Sequence, residues 1–354
     1  MKLEKAKLFL LRKYLKWICR KLKIKRYIRS KPEINIEKSN LKEQTEDLKI
    51  KAAVVQCKIK LYNNPFDFID KMIEFIQDAV SKRAELIVFP EDNLLQLIGI
   101  LPGIKNISLT DSENTDKQSS LDDIEITDIL KFVGPIIKEA TNVIFSELAK
   151  KYSIFIMSGS GLFPENNSVY NIAYLYNGQG EKLGHQKKIH LLPLEADWGI
   201  NPGEKLEVFQ TEIGNLAFPI CMDATYFETF RIAANMKADI VMIPTANPEA
   251  YFNYWTALRG IWGRVQESQV YGLKSSMVGS FLGYKFTGQA GIYAPIEMSS
   301  DKNGIIQEAE SYDQEELIIA DLNIDELHDF KRNNTELMNR QIWEKYFPDI
   351  YYNL

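Results

Sequence analysis

Along the chain, short apolar runs alternate with longer stretches in which apolar residues recur every three or four positions. The runs Ala52 to Gln56 and Glu85 to Phe89 read as strands, and Phe66 to Lys82 between them reads as an amphipathic helix. A helix from about Ile129 to Tyr152 and a strand over Ile154 to Gly159 continue the alternation. The strand Ile172 to Tyr176 is predicted to turn at Asn177-Gly178, a favoured two-residue hairpin signal. The second half gives strands at Leu216 to Ile220, Asp239 to Pro244, Val270 to Val278, Ala290 to Tyr293 and Leu317 to Asp321. Its helices fall at Tyr226 to Met236 and Asp325 to Arg332. Strands mixed with helices in this way predict a layered α/β sandwich.

The first 31 residues have a different pattern. Leu8, Leu11, Leu15, Ile18 and Leu22 stack on one helical face, widened by Leu10, Tyr14 and Trp17, while Arg12, Lys13, Lys16, Arg20 and Lys23 lie mainly opposite. This arm carries 13 Lys or Arg against the single acid Glu4, a charge of +12. The whole chain carries −5, so the other 323 residues carry −17. A basic amphipathic helix over residues 1–31 predicts a peripheral site on an anionic membrane surface. The acidic body argues against nucleic acid as a partner. The longest apolar run of the arm, Leu8 to Leu11, is too short for a secretory signal, and no stretch is long enough to span a bilayer. Residues 32–49 are polar and charge-mixed and read as a linker. Residues 50–354 form the body, and 101–127 read as an acidic insertion with Pro102, Gly103 and several serines.

Three widely spaced cysteines, Cys19, Cys57 and Cys221, suggest no disulfide framework and fit a reducing, cytoplasmic compartment. The histidines His185, His190 and His328 stand in no zinc-ligand spacing, so neither a metal nor another cofactor is expected. Cys221 follows the apolar run Leu216 to Ile220. Thr225 and Glu228 beyond it have capping-box spacing, which would put a helix start and its dipole near the thiol and favour the thiolate. Glu91 ends a buried strand, where α/β folds collect their active sites. Lys188 lies between apolar stretches in a double-lysine segment. Taken singly, each has an ordinary structural reading. Together they supply a base, a cation and a nucleophile, each at an element boundary.

Phe89-Pro90-Glu91, Lys188-Ile189-His190-Leu191 and Ile220-Cys221-Met222-Asp223 stand in order and resemble the glutamate, lysine and cysteine motifs of the nitrilase superfamily. The resemblance covers about residues 50 to 345. It departs at Gln186, at Thr225-Tyr226 and at Ser268, and it implies a four-layer αββα sandwich that pairs into homodimers or larger assemblies. It further implies that Cys221 attacks an amide or nitrile carbon, that Glu91 moves protons and that Lys188 stabilises the oxyanion. Glu195, Met222 and Asp223 would meet the substrate, and no cofactor is called for. Met222-Asp223 resembles the amidase and carbamoylase branches, so a small amide or N-carbamoyl compound is the expected substrate. Acyl transfer to an amine or lipid-like acceptor by the same triad is the alternative, followed by a catalytically silent membrane-surface protein.

Overall fold

The computed structural model describes residues 2–33, 48–104, 126–281, 283–334, 341–342 and 344–346. The centre of the expected linker and most of the expected insertion lie outside the described residues. Two helices, α1 (Lys2–Ile18) and α2 (Lys21–Ser30), precede the body. The first half of the body runs β1 (Lys49–Lys58), α3 (Pro65–Ser81), β2 (Leu86–Val88), α4 (Ile126–Tyr152), β3 (Phe155–Glu165), β4 (Ser168–Tyr176), β5 (Lys182–Lys187) and α5 (Pro193–Asp197). The second half begins with β6 (Phe209–Thr211), β7 (Gly214–Ala217), α6 (Phe227–Asn235), β8 (Ile240–Ala246), α7 (Tyr254–Arg259) and α8 (Trp262–Ser268). It ends with β9 (Tyr271–Phe281), β10 (Tyr284–Phe286), β11 (Gly291–Tyr293), β12 (Ile305–Glu308), β13 (Glu316–Asn323) and α9 (Ile324–Asn334).

Local chemistry explains where elements start and stop. Asn64 caps α3 by accepting hydrogen bonds from the N–H groups of Phe66 and Asp67, and Pro65 supplies the first helical φ. The expected two-residue hairpin turn is longer in the structure. Asn177 N–H donates to Glu181 O, Gly180 N–H donates to Asn177 O, and the Asn177 side chain accepts from Gln179 and Glu181. The left-handed position that needs a glycine is therefore Gly180, with φ 82°, and not Gly178.

The strands run β5-β4-β3-β2-β1 and continue through β9-β8-β7-β6, with β13 pairing antiparallel to β1. β1 lies parallel to β2 over Ala52–Val54 and parallel to β9 over Gln56–Lys58. Alternation along the strands divides the apolar residues into three layers. Ala53, Val55 and Cys57 of β1 face α3 and α4, whereas Ala52 and Val54 face the opposite way. In β8, Ile240 and Met242 share that middle layer with Ala52 and Val54. Val241 and Ile243 instead pack with Phe230 of α6 and Val265 of α8. Helices, sheet, sheet and helices in that order make the αββα sandwich.

The N-terminal arm departs from the single interfacial helix expected. It breaks near Cys19-Arg20, and Leu15, Ile18, Cys19, Ile24 and Ile28 are buried in the core layer that contains α3 and α4. Tyr27 packs on Phe66 with ring centroids 4.6 Å apart. Lys25 and Arg29 pair with Glu147 of α4 at 2.8 and 3.1 Å, and Lys31 pairs with Asp70 of α3 at 2.6 Å. The other side of α1 stays open: Phe9, Leu10 and Trp17 are 59%, 64% and 59% exposed. Hydrophobic spacing alone could not tell these two faces apart.

Candidate active site

Glu91 sits in the loop just past β2, with its carboxylate buried. Gly159 of β3, in the left-handed region at φ 72°, lets that strand pass so close to the Pro90 carbonyl that a Cβ would collide with it. Lys188, immediately after β5, is 1% exposed. Cys221 opens a single 3₁₀ turn, Cys221–Thr225, soon after β7, and its own φ is 47°. A non-glycine residue held there is strained, and such strain is characteristic of functional positions.

These side chains from distant parts of the chain converge. Lys188 Nζ lies 2.8 Å from Glu91 Oε1 and 2.6 Å from Glu195 Oε2. Asn171 Nδ2 bridges the same two carboxylates, donating to each at 3.0 Å. The Ala246 N–H donates to Glu91 Oε2 at 2.9 Å, and the Leu192 N–H donates to Glu195 Oε2 at 2.9 Å. The Cys221 thiol approaches the Glu91 carboxylate and the Ala246 N–H.

Burial and mutual charge act in opposite directions on these groups. Burial pushes Glu91 up, while the Lys188 ammonium pulls the other way. Burial also works against the charge of Lys188, but Glu91, Cys221 and Glu195 outweigh it and hold the ammonium well above its ordinary value. The Cys221 thiol is pushed well up, first by burial and then by Glu91. Two carboxyl groups already share one ammonium, so a thiolate would add negative charge to a set short of cations. Burial and Glu91 therefore work against the thiolate that a nearby helix start would favour. The N-cap of α6 is Tyr226, without a side-chain cap, and Thr225 Oγ1 turns to Met222 Sδ at 3.6 Å instead of capping the helix.

Of the three residues expected at the substrate, Met222 lines the cavity beside Cys221, and Glu195 sits against Lys188. Asp223 does not face that cavity. It is fully buried and accepts hydrogen bonds from the N–H groups of Ile189, His190 and Ile220, with His190 Nδ1 3.0 Å from it. Its role in this geometry is a correction to the expectation: it ties the loop of Lys188 to the elbow of Cys221. Cys57 and Cys19 are buried apart from this set, and desolvation raises both thiols, that of Cys19 to about 12.

The cavity beside Cys221 holds about 220 Å³ and is lined by Met222, Thr245, Asn247, Lys274 and Thr287 among others. A smaller space of about 50 Å³ reaches Glu91, Asp92, Lys188, Glu195 and Trp198. Sequence reading missed Asn171 and Lys274. Their signals were a polar residue inside the apolar strand Val169 to Tyr176 and a charge inside Val270 to Val278. Among the described residues, no group of three His, Cys, Asp or Glu side chains gathers in a form that could hold a metal.

A buried Glu-Lys pair thus lies beside a cysteine that opens a 3₁₀ turn, within an αββα sandwich. The carbon-nitrogen hydrolase model matches residues 51–332, and the chain belongs to that family, within the nitrilase superfamily. It is 28% identical over 296 residues to the probable hydrolase YhcX of Bacillus subtilis, covering 81% of this chain and 52% of that protein. It is 26% identical over 206 residues to the omega-amidase NIT3 of Saccharomyces cerevisiae, covering 54% of this chain and 67% of that one. The fold matches the crystal structure of a carbon-nitrogen hydrolase from Helicobacter pylori G27, with a TM-score of 0.64 and 19% identity. That match covers 86% of this chain and 99% of the other. The chain spans about half the length of the first curated relatives it matches.

Proposed function

We propose that this protein hydrolyses a carbon–nitrogen bond in a small amide or N-carbamoyl compound through a cysteine acyl-enzyme. The observation that carries the reading is the convergence of Glu91, Lys188 and Cys221 in one buried hydrogen-bonded set. Glu91 takes the Cys221 proton as sulfur attacks the carbonyl carbon, which suits a carboxylate whose proton affinity is raised by burial. Lys188 and backbone N–H groups at the elbow stabilise the oxyanion. Glu91 returns the proton to the departing amine and then activates the water that cleaves the thioester. Asn171 and Glu195 hold Glu91 and Lys188 in register. The relatives named as amidases support an amide substrate.

The test is ammonia release from a panel of small amides and N-carbamoyl compounds. The wild type is expected to release ammonia from at least one, and Cys221→Ala and Glu91→Gln to lose at least 100-fold, comparable to losing a principal transition-state interaction. Product analysis with an added amine separates hydrolysis from acyl transfer. A wild type that cleaves nothing while its folded variants behave alike would reject the reading.

The arm supports a second statement, about where the enzyme works. One side of α1 and α2 is committed to the body, while Phe9, Leu10, Tyr14, Trp17 and Leu22 remain exposed among basic residues. Lys23 sits over the Trp17 ring, 3.2 Å from its centroid. This composition suits shallow insertion into anionic lipid, with the −17 body facing away. Among the described residues no helix is long and apolar enough to cross a membrane. Flotation with phosphatidylserine-containing vesicles is expected for the full chain and not for Leu10→Glu/Trp17→Glu; equal flotation of both would remove the membrane reading. Exposed Ile232 of α6 and Met236 at its C-cap further support pairing with a second copy through that side.

A further inference from the structure

The wall of the catalytic cavity contains a cation that the chemistry above does not use. Lys274 lies in β9, is buried, and lines the same cavity as Cys221. Its ammonium has three donors, and one hydrogen bond is made, to the backbone carbonyl of Ala257 at 2.7 Å. Among the described residues no carboxylate pairs with it at ion-pair distance. Glu308 is engaged by the hydroxyls of Tyr254 and Tyr293, and Glu249 lines the cavity without reaching the ammonium.

A charge buried with so few partners is costly. Desolvation pulls Lys274 down to about 8, leaving it mostly charged at neutral pH. An anion bound in the cavity would complete its coordination. The cavity, about 220 Å³, is smaller than the roughly 300–1,000 Å³ of drug-sized sites, so the anion would belong to a short molecule that also reaches Cys221.

We propose that Lys274 seats a carboxylate on the acyl part of the substrate, so that the preferred substrates are short monoamides of dicarboxylic acids. This rests on the reading of Cys221 as nucleophile. In the reaction a bond forms between Cys221 Sγ and the amide carbon, and the C–N bond breaks with loss of ammonia. Water then cleaves the thioester, releasing the dicarboxylate and restoring the thiol. Lys274 takes part in none of these bond changes and acts on specificity.

The experiment pairs charged with neutral substrates of similar length: succinamate and glutaramate against butyramide and valeramide. The wild type is expected to favour the charged member by at least tenfold in kcat/KM. In Lys274→Met that ratio falls toward one, mainly through KM for the charged member, and Lys274→Arg restores part of it. Equal kcat/KM for both members in the wild type, or an unchanged ratio in the methionine variant, overturns the proposal. A fall in kcat on all four amides alike would instead make Lys274 an oxyanion stabiliser and also overturn it.

Calorimetric titration of succinate and glutarate into folded wild type and Lys274→Met is read without turnover. If neither amide is cleaved but dicarboxylate affinity drops at least tenfold in the variant, the hydrolase reading fails and the carboxylate seat stands. If affinity is the same in both proteins, the seat fails whatever the turnover.

Discussion

At Cys221 the balance between burial and local charge decides how the nucleophile rests. Removing one carboxylate changes that balance in a predictable direction. With Glu91→Gln the negative neighbour is gone while the Lys188 ammonium remains, so the thiol should ionise at lower pH than in the wild type. Iodoacetamide labelling of Cys221 across pH 6 to 10, read by peptide mass, should show the wild-type rate still climbing above the range of a free thiol. The variant's rate should climb earlier. A later rise in the variant would mean that Glu91 activates the resting thiol rather than holding it neutral. The convergence of Glu91, Lys188 and Cys221 could be anticipated from the sequence because each stands at an element boundary inside a short motif. Asn171 and Lys274 could not be, because a polar residue within an apolar strand gives no sign of which layer it faces. Asp223 was misread because adjacency to the nucleophile says nothing of side-chain direction, and the 3₁₀ turn points it inward.

Most helices and strands were legible because their apolar periods are clear, as in α3, where Phe68, Ile69, Met72, Ile76 and Ala79 form one buried stripe. The arm was legible as helix but not as two docked helices, since its docking depends on residues more than a hundred positions away. Glu147 of α4 is the electrostatic part of that attachment. Burial alone would raise its carboxyl, but Lys25 and Arg29 overcome this and hold it below the usual range. A carboxylate depressed in the folded state contributes stability above its ordinary titration range, and that contribution is lost as pH falls through the depressed value. Hydrogen exchange in α2 should therefore accelerate, relative to β1, as the pH is lowered into the acidic range. In Glu147→Gln the exchange of α2 should be faster at neutral pH and less sensitive to acid. Identical exchange in the two proteins would assign the docking to Leu15, Ile24 and Ile28 alone.

For the whole molecule, a layered α/β sandwich could be inferred from alternating elements and its four-layer order from the family resemblance, but the seam between the sheets could not. That seam depends on β1 pairing with β2, β9 and β13 along a single ten-residue strand. The exposed face of α6 gives the assembly prediction. Light scattering after size exclusion should report a dimer or a larger even assembly, and Ile232→Glu with Met236→Glu should reduce it to monomer. A wild type that is monomeric at tens of micromolar would leave that face to another role.

The seam also makes the nucleophile an internal gauge of folding. Glu91 comes from the strand beside β1 on one side, and Cys221 follows β7, three places from β1 on the other. Their encounter requires both sheets to be seated on their shared strand. If either sheet slips, the carboxylate and the sulfur separate, and the thiol gains solvent and loses its suppressing neighbour. The reactivity of one sulfur atom thus reports the alignment of two sheets, so damage remote from the cavity can be detected there before the molecule has lost its secondary structure.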